Sequence, residues 1–344
     1  MKILFIGDDQ KIGYSYYQFK ILKKIYKDVE IINLKKINNI CFLLNKLSWH
    51  LNFKFYDLII LFFLNNKTNQ MYDLIYVNNE TLIGKKSICY LKKISKKIIY
   101  YCTDNPFKNG DNKRWDLVKN HFDLFDIVIF MQKNRLIDST SYGIKNKIWI
   151  PPTIKINEFK KLSRKKIKKK YDIIIISTYR TERELLVEKL LNNKFNIKVH
   201  GDHWERSGIY KKNRSIFFSK IVNDNKYVET LRSGKISICL PSFENNDDIT
   251  HRSLEIPLVG TMLLAKKTKT HKEFFKNNFE AVFFNNLNDC IKKCRQLLKN
   301  EVKIKKITEQ GSKKISSISK LHFIANMISF ETNIKKIISN LFLN

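Results

Sequence analysis

The sequence predicts an α/β protein made of two doubly wound, Rossmann-like domains in tandem, each with a parallel sheet. Three observations carry that expectation. Short apolar runs alternate with longer stretches of helical spacing, the pattern of βαβ units. The pattern halts at Pro151-Pro152 and, after the lysine-rich stretch 160–170, restarts at Tyr171. Finally, 344 residues exceed one compact core and suit two domains of about 150 to 170 residues each. With 43% hydrophobic and 28% charged residues the chain reads as globular, and ten Gly and five Pro exclude a collagen-like or linker-rich architecture.

The first half begins with a buried strand at Lys2–Gly7, a helix at Tyr14–Lys27 and a strand at Val29–Leu34. The apolar runs Leu58–Leu64 and Tyr72–Val77 read as further strands, the second followed by Asn78-Asn79-Glu80 and a helix. Lys97–Cys102 and Ile127–Met131 complete the series, and Lys147–Ile150 leads into Pro151-Pro152. Lys160–Lys170 (KKLSRKKIKKK) is expected to be a solvated linker or helix face. In the second half Tyr171–Ser177 (YDIIIIS) has the continuous apolar character of a central parallel strand. Helices are expected at Glu182–Leu191, Tyr227–Ser233, Ser253–Val259 and Leu287–Leu298, and strands at Ile197–Gly201, Lys235–Leu240 and Met262–Ala265. From Ser316 the tail has helical spacing almost to its end, suited to packing or to an amphipathic helix at a membrane surface. The domains are therefore placed at 1–155 and 156–322, with a terminal helix at 323–344.

The 65 basic and 32 acidic residues give a net charge of +33. Only ten of the basic residues are Arg, and Lys, Asn and Ile abound, as in chains written in AT-rich codons, so much of this charge reads as composition spread over solvated faces. It still attracts anionic substrates and anionic lipid, and weak peripheral contact with an anionic membrane is one expectation. No helix-turn-helix signature, RNP pattern or Cys/His finger points to specific nucleic acid. The six cysteines form no CxxC pair and read as reduced, mostly buried thiols of a cytoplasmic protein. Met1–Gly7 is too short for a signal-peptide core, and the longest apolar run, Leu58–Leu64, falls far below the roughly 20 residues of a membrane span. The expected location is the cytoplasm, with the inner face of the membrane as a peripheral site.

The first βα turn, Gly7–Gly13, has neither GxGxxG spacing nor a P-loop, which argues against a nicotinamide dehydrogenase and a nucleoside-triphosphate hydrolase. Polar clusters instead recur where strands end, the place where open α/β sheets bind ligands. Ser242–Glu255 (SFENNDDITHRSLE) runs from a strand end into a helix start and carries Asp247, His251, Arg252 and Glu255. A helix N-terminus with an Arg suits phosphate oxygens, and Glu255 suits a ribose diol; a polar loop capped by Thr250 or Ser253 fits the same residues. Ser177–Arg183 places Arg180 and Arg183 at the end of the strongest strand, suited to a diphosphate or to ion pairs with Glu182 or Glu184. His200-Gly201-Asp202-His203-Trp204 lacks a third metal ligand nearby, so no metal site is expected, and Trp204 either shields a base or packs. In the first domain Asp104 ends a strand, where a carboxylate positions or deprotonates a hydroxyl or simply forms a turn with Asn105-Pro106.

Taken together the chain resembles the CgeB-like (spore maturation protein) glycosyltransferases of the GT-B class, "glycosyl transferases group 1". The likeness rests on TDNPF at 103–107, IIISTYRTERELL at 174–186, HGDHW at 200–204, HRSLEIPLVGTMLLA at 251–265 and HKEFFKNNFEAVFF at 271–284. It covers most of residues 72–312. The resemblance implies a GT-B fold, two domains facing a central cleft, with a nucleotide-sugar donor held mainly by the second and the last helix crossing back to the first. It implies that Arg183 and Arg252 contact the diphosphate and that Gly260 is a packing glycine. It also implies that Asp247 and Glu255 stand for a pair of carboxylates eight apart, Asp replacing the family's first Glu. The expected site is thus Asp104 and Asp247 as catalytic residues and Arg180, Arg183, Trp204, His251, Arg252 and Glu255 as donor contacts. The expected reaction moves a sugar from a nucleotide-sugar to a glycan, lipid or protein, with retention and with neither metal nor cofactor. A GT-B nucleotide-sugar epimerase and a non-catalytic basic lipid- or nucleic-acid-binding protein are the competing expectations.

Overall fold

The computed structural model describes every residue except 12, 37–52, 54, 109–111, 222, 317–328 and 344. Cys41 and residues 317–328 of the expected C-terminal helix lie outside the described residues. The chain divides into two compact units. Unit 1 comprises Met1–Thr153, Ser242–Asp247 and Met327–Asn344; unit 2 comprises Ile154–Pro241 and Asp248–Asn326. The seam thus falls at 153/154 rather than 155/156, and Ser242–Asp247, assigned from sequence to the second domain, belongs to the first.

Unit 1 alternates strands and helices: β1 Ile3–Ile6, α1 Tyr14–Tyr26, β2 Val29–Ile32, α2 Tyr56–Lys67, β3 Tyr72–Asn78, α3 Lys85–Lys93, β4 Ser95–Cys102, α4 Asn112–Lys119, β5 Ile127–Phe130, the single turn α5 Arg135–Asp138, and β6 Lys147–Trp149. The strands form one parallel sheet in the order β2-β1-β3-β4-β5-β6. The two-residue period of a strand sends neighbouring side chains to opposite faces. Leu4, Ile6, Ile75, Val77, Ile98 and Tyr100 accordingly pack in one core, while Ile3, Phe5, Leu74, Tyr76, Ile99 and Tyr101 pack in the other. Both faces are buried, which is why these strands are apolar throughout rather than alternating.

One expected strand is a helix. Leu58–Leu64 lies inside α2. An apolar run that is hydrophobic all round carries no period to separate a buried helix from a buried strand, and here the twelve-residue length favours the helix. Asp57, at its start, accepts hydrogen bonds from the backbone N–H of Gly84 (2.9 Å), Lys86 (2.9 Å) and Ser87 (3.1 Å). That buried carboxylate satisfies the orphan donors at the start of α3 and locks the two helices together.

Unit 2 contains α6 Ile156–Leu162, β7 Tyr171–Ile176, α7 Thr181–Asn192, β8 Ile197–His200, β9 Phe217–Phe218, α8 Asp224–Arg232, β10 Gly234–Cys239, α9 His251–Leu258, β11 Met262–Lys266, α10 Lys269–Phe274, β12 Val282–Phe284, α11 Leu287–Leu298 and α12 Glu301–Ser316. Its sheet is also wholly parallel, in the order β12-β11-β10-β7-β8-β9. Counted within the unit this is 6-5-4-1-2-3, with the order reversing between β7 and β10. The lysine-rich stretch begins in the last turn of α6 and runs on past its end, where Lys165, Lys166, Lys168, Lys169 and Lys170 are exposed. Cys239, Cys290 and Cys294 are buried free thiols, as is Cys102 of unit 1, while Cys89 is half-buried. The chain ends in α13 Phe330–Leu343, which belongs to unit 1; Phe330, Ile334, Ile337 and Ile338 pack with Phe19 and Leu22 of α1 and with Tyr76. No helix among the described residues is long and apolar enough to cross a membrane.

Candidate functional site

In an open α/β sheet the natural crevice lies beyond the carboxyl ends of the two strands where the order reverses, because the following helices leave on opposite faces there. In unit 2 those strands are β7 and β10. The chain leaving β7 is Ser177–Arg180, which opens α7, and the chain leaving β10 leads to Thr250, which opens α9.

Arg183, in the first turn of α7, is only 6% exposed. One of its guanidinium nitrogens donates to the Thr178 carbonyl (2.8 Å), while its buried Nε has no partner among the described residues. Burial, and after it the charge of Arg252, pulls its pKa down to about 10; Arg180 acts in the same direction. The surface ion pair with Glu182 or Glu184 allowed by the sequence is not formed among the described residues. Glu184 instead accepts hydrogen bonds from the Tyr179 hydroxyl (2.9 Å), the Ser207 hydroxyl (2.8 Å) and the Gly208 N–H (2.6 Å). Arg183 is therefore a desolvated cation under the repulsion of Arg252 and Arg180, which the charge of Glu182 offsets only in part, and a further anion stabilises it.

The start of α9 is fixed from two sides. Thr250 and Ser253 form a reciprocal capping box, with the Thr250 N–H donating to Ser253 Oγ (3.1 Å). Fully buried His271 lies 2.8 Å from the Lys266 carbonyl through Nδ1 and 2.8 Å from Ser253 Oγ through Nε2. A carbonyl can only accept, so Nδ1 carries the proton and Nε2 receives the Ser253 hydroxyl. Burial keeps His271 neutral by lowering its pKa to about 4. This chain of contacts aims the first turn of α9, which carries His251 and Arg252. His251 is held down to about 3, by burial first and then by the charges of Arg252 and Lys155. Lys155 is itself 3% exposed and grips Asp224 at 2.8 and 3.1 Å. One turn further on, Glu255 is 3% exposed and its carboxylate accepts the Tyr227 hydroxyl.

The structure thus gathers Arg180, Arg183, His251, Arg252 and Glu255 in unit 2, joins to them the capping candidate Ser253 with His271, and adds Tyr227 and Lys155, which no local sequence signal singles out. Trp204 takes the packing alternative. It is 2% exposed, its indole N–H donates to the Ser177 carbonyl (2.8 Å), and its ring lies against Tyr179 and Phe217 at 5.7 and 5.2 Å. The apolar ring is taken up by the core. Gly201 completes this junction: a Cβ there would lie 1.9 Å from the Ser177 carbonyl oxygen, so only glycine lets the two strand exits meet.

Asp104 and Asp247, the two expected catalytic carboxylates, lie in unit 1 on loops that touch. The Asn105 side chain donates to the Asn245 carbonyl (3.0 Å), and Asp104 accepts from the Asn79 amide (2.9 Å). Arg135, which the sequence reading passed over, organises this region. It is wholly buried, donates to the carbonyls of Asn245 and Asn246, and lies 3.4 Å from an Asp247 oxygen. Those contacts explain why Ser242–Asp247 belongs to unit 1.

Residues 180–325 match the profile of the Glycosyl transferase-like family. No curated protein matches the chain by sequence. Among solved structures, sucrose-phosphate synthase from Thermosynechococcus elongatus superimposes with a TM-score of 0.70 over 100% of this chain and 99% of its own, at 10% identity. OtsA does so with a TM-score of 0.67 over 99% of each chain, at 11% identity. HepE from Anabaena, solved with UDP-glucose, gives 0.65 over 99% of this chain and 100% of its own, at 12% identity. The two parallel six-stranded sheets are those of the GT-B fold.

Proposed function

We propose that this chain is a glycosyltransferase whose second unit holds a nucleotide-sugar, and that the first donor to test is UDP-glucose. The observation that carries the reading is Arg183: a buried guanidinium with an unspent donor, placed at the reversal point of the sheet beside Arg180 and Arg252. Such a group stabilises a diphosphate more than any singly charged ligand, because desolvation strengthens the attraction. The family profile over residues 180–325 and the UDP-glucose bound by HepE support the choice of ligand.

In this reading the diphosphate lies against Arg183, Arg252 and the start of α9, while Glu255, steadied by Tyr227, accepts the ribose hydroxyls. An acceptor hydroxyl attacks the anomeric carbon as the bond to the diphosphate breaks. Negative charge then grows on the leaving oxygen, and the guanidinium groups and the helix dipole neutralise it without reorganising. Asp104 and Asp247 are the catalytic carboxylates of this reading, Asp104 positioning the hydroxyl or receiving its proton. Following the CgeB-like and wider GT-B resemblance, the anomeric configuration is retained and the acceptor is a glycan, lipid or protein.

Thermal unfolding in the presence of UDP-, GDP-, ADP- and dTDP-sugars tests the proposal, since a donor that binds only the folded chain raises the melting temperature by mass action. Stabilisation by one family of nucleotide-sugars is expected. No shift with any of them at millimolar concentration would overturn the reading.

A further inference from the structure

A second cationic site lies at the other end of the same sheet. A cavity of about 550 Å³ opens at the amino-terminal edge of unit 2, where β7, β10 and β11 begin. Lys168, Lys169, Lys235 and Lys305 line it, with Ile304 and Gly260 in its wall. The space beside Gly260 is open, for a Cβ there would meet nothing within 4 Å.

Four ammonium groups face two carboxylates, Glu301 and Glu309. One of these is already committed, since Lys235 pairs with Glu301 at 2.7 Å. Lys169 donates to the Gly234 carbonyl (2.8 Å) rather than to an acid. Lys168 and Lys305 make no side-chain hydrogen bond or ion pair among the described residues. The hydroxyl of Thr308, also in the wall, is buried without a partner among them. Lys168, Lys169 and Lys305 are exposed to solvent, and Arg232 adds charge from outside. Cations crowded around a concave, partly apolar wall repel one another, and a compact dianion relieves that repulsion.

We propose that this cavity binds a phosphate monoester, presented by a soluble metabolite or by a lipid headgroup, through Lys168, Lys169 and Lys305. The phosphate takes the ammonium groups as donors, and the carbon body of the ligand lies along Ile304 and the lysine stems. Nothing in this depends on the nucleotide-sugar reading, because the cavity shares no residue with the cluster around Arg183.

Calorimetric titration with glucose 6-phosphate, and co-sedimentation with phosphatidylcholine vesicles with and without phosphatidic acid, separate the two sources. Binding in either arm is expected for the wild-type chain. The double variant Lys168→Ala/Lys305→Ala is expected to weaken it at least tenfold, the effect of losing about 1.4 kcal/mol, while leaving UDP affinity unchanged. Arg183→Ala is expected to do the reverse. Absence of binding in both arms, or phosphate binding that survives the double lysine variant and is lost in Arg183→Ala, would overturn the proposal.

Discussion

Arg135 Nη2 lies 3.4 Å from Asp247 Oδ1, with the guanidinium completely shielded from solvent. A residue of the first half of the chain thereby holds a loop of the second half, through that carboxylate and the carbonyls of Asn245 and Asn246. Asp247 is therefore not a freely rotating side chain; its position is set by a buried cation 112 residues away in sequence.

Replacing that cation leaves buried acceptors without a donor. Arg135→Ala is expected to cost about 3 kcal/mol, read by urea unfolding, and to expose Ser242–Asp247 to limited proteolysis. Arg135→Lys restores the charge but not the forked geometry and should recover only part of the loss. A wild-type unfolding midpoint in Arg135→Ala would show that the contacts are incidental.

The guanidinium cluster predicts a separation of binding from folding. Arg252→Ala is expected to raise the dissociation constant for UDP-glucose by about 10- to 100-fold and to abolish measurable transfer, with the circular dichroism spectrum and melting temperature preserved. On the proposed reading these groups neutralise the leaving diphosphate, so transfer should proceed undiminished in EDTA. Inactivation by the chelator with recovery on adding Mn²⁺ would show that a metal carries part of that charge.

Glu255 and Tyr227 make a similar test of the ribose side. Tyr227→Phe removes one hydrogen bond to a buried carboxylate and should raise KM severalfold with a smaller effect on kcat. Glu255→Ala should eliminate turnover. Equal kinetic constants in Tyr227→Phe and the wild type would mean that the carboxylate needs no such support.

His271 predicts the response to acid. Its pKa is about 4 in the folded chain against 6.5 for the unperturbed group, so between those values the unfolded chain binds the proton that the folded chain refuses. Stability is therefore lost as pH falls from about 6.5 toward 4, by about 2 kcal/mol from this residue at pH 4.5. His251 acts with the same sign. Urea unfolding at pH 7 and pH 4.5 should show a smaller acid penalty in His271→Gln than in the wild type; equal penalties would place the acid sensitivity elsewhere.

Strand positions were the most legible part of the chain. A parallel strand buried on both faces needs an unbroken apolar run, and YDLIYV and YDIIII supply it. The same rule misread Leu58–Leu64, because an all-apolar run has no period and the decisive contact, Asp57 on the start of α3, spans 27 to 30 residues. The placement of Arg183, Arg252 and Glu255 at helix starts after strand ends was legible, because polar residues there follow apolar runs on the way into helical spacing. Trp204 shared that position but not its consequence, since only packing decides whether an aromatic ring faces a ligand or the core.

The amino-acid sequence alone determined the alternation of strand and helix, the two sheets and the places where polar groups gather at strand ends, because each of these follows from spacing along the chain. The tertiary structure alone decided which charge is desolvated, which carboxylate is held by which donor, and to which unit a loop belongs. Arg135 and Asp247, Ser253 and His271, Tyr227 and Glu255 are each far apart in sequence. Burial and hydrogen bonding between such residues are set by the folded path of the backbone, which local pattern does not encode.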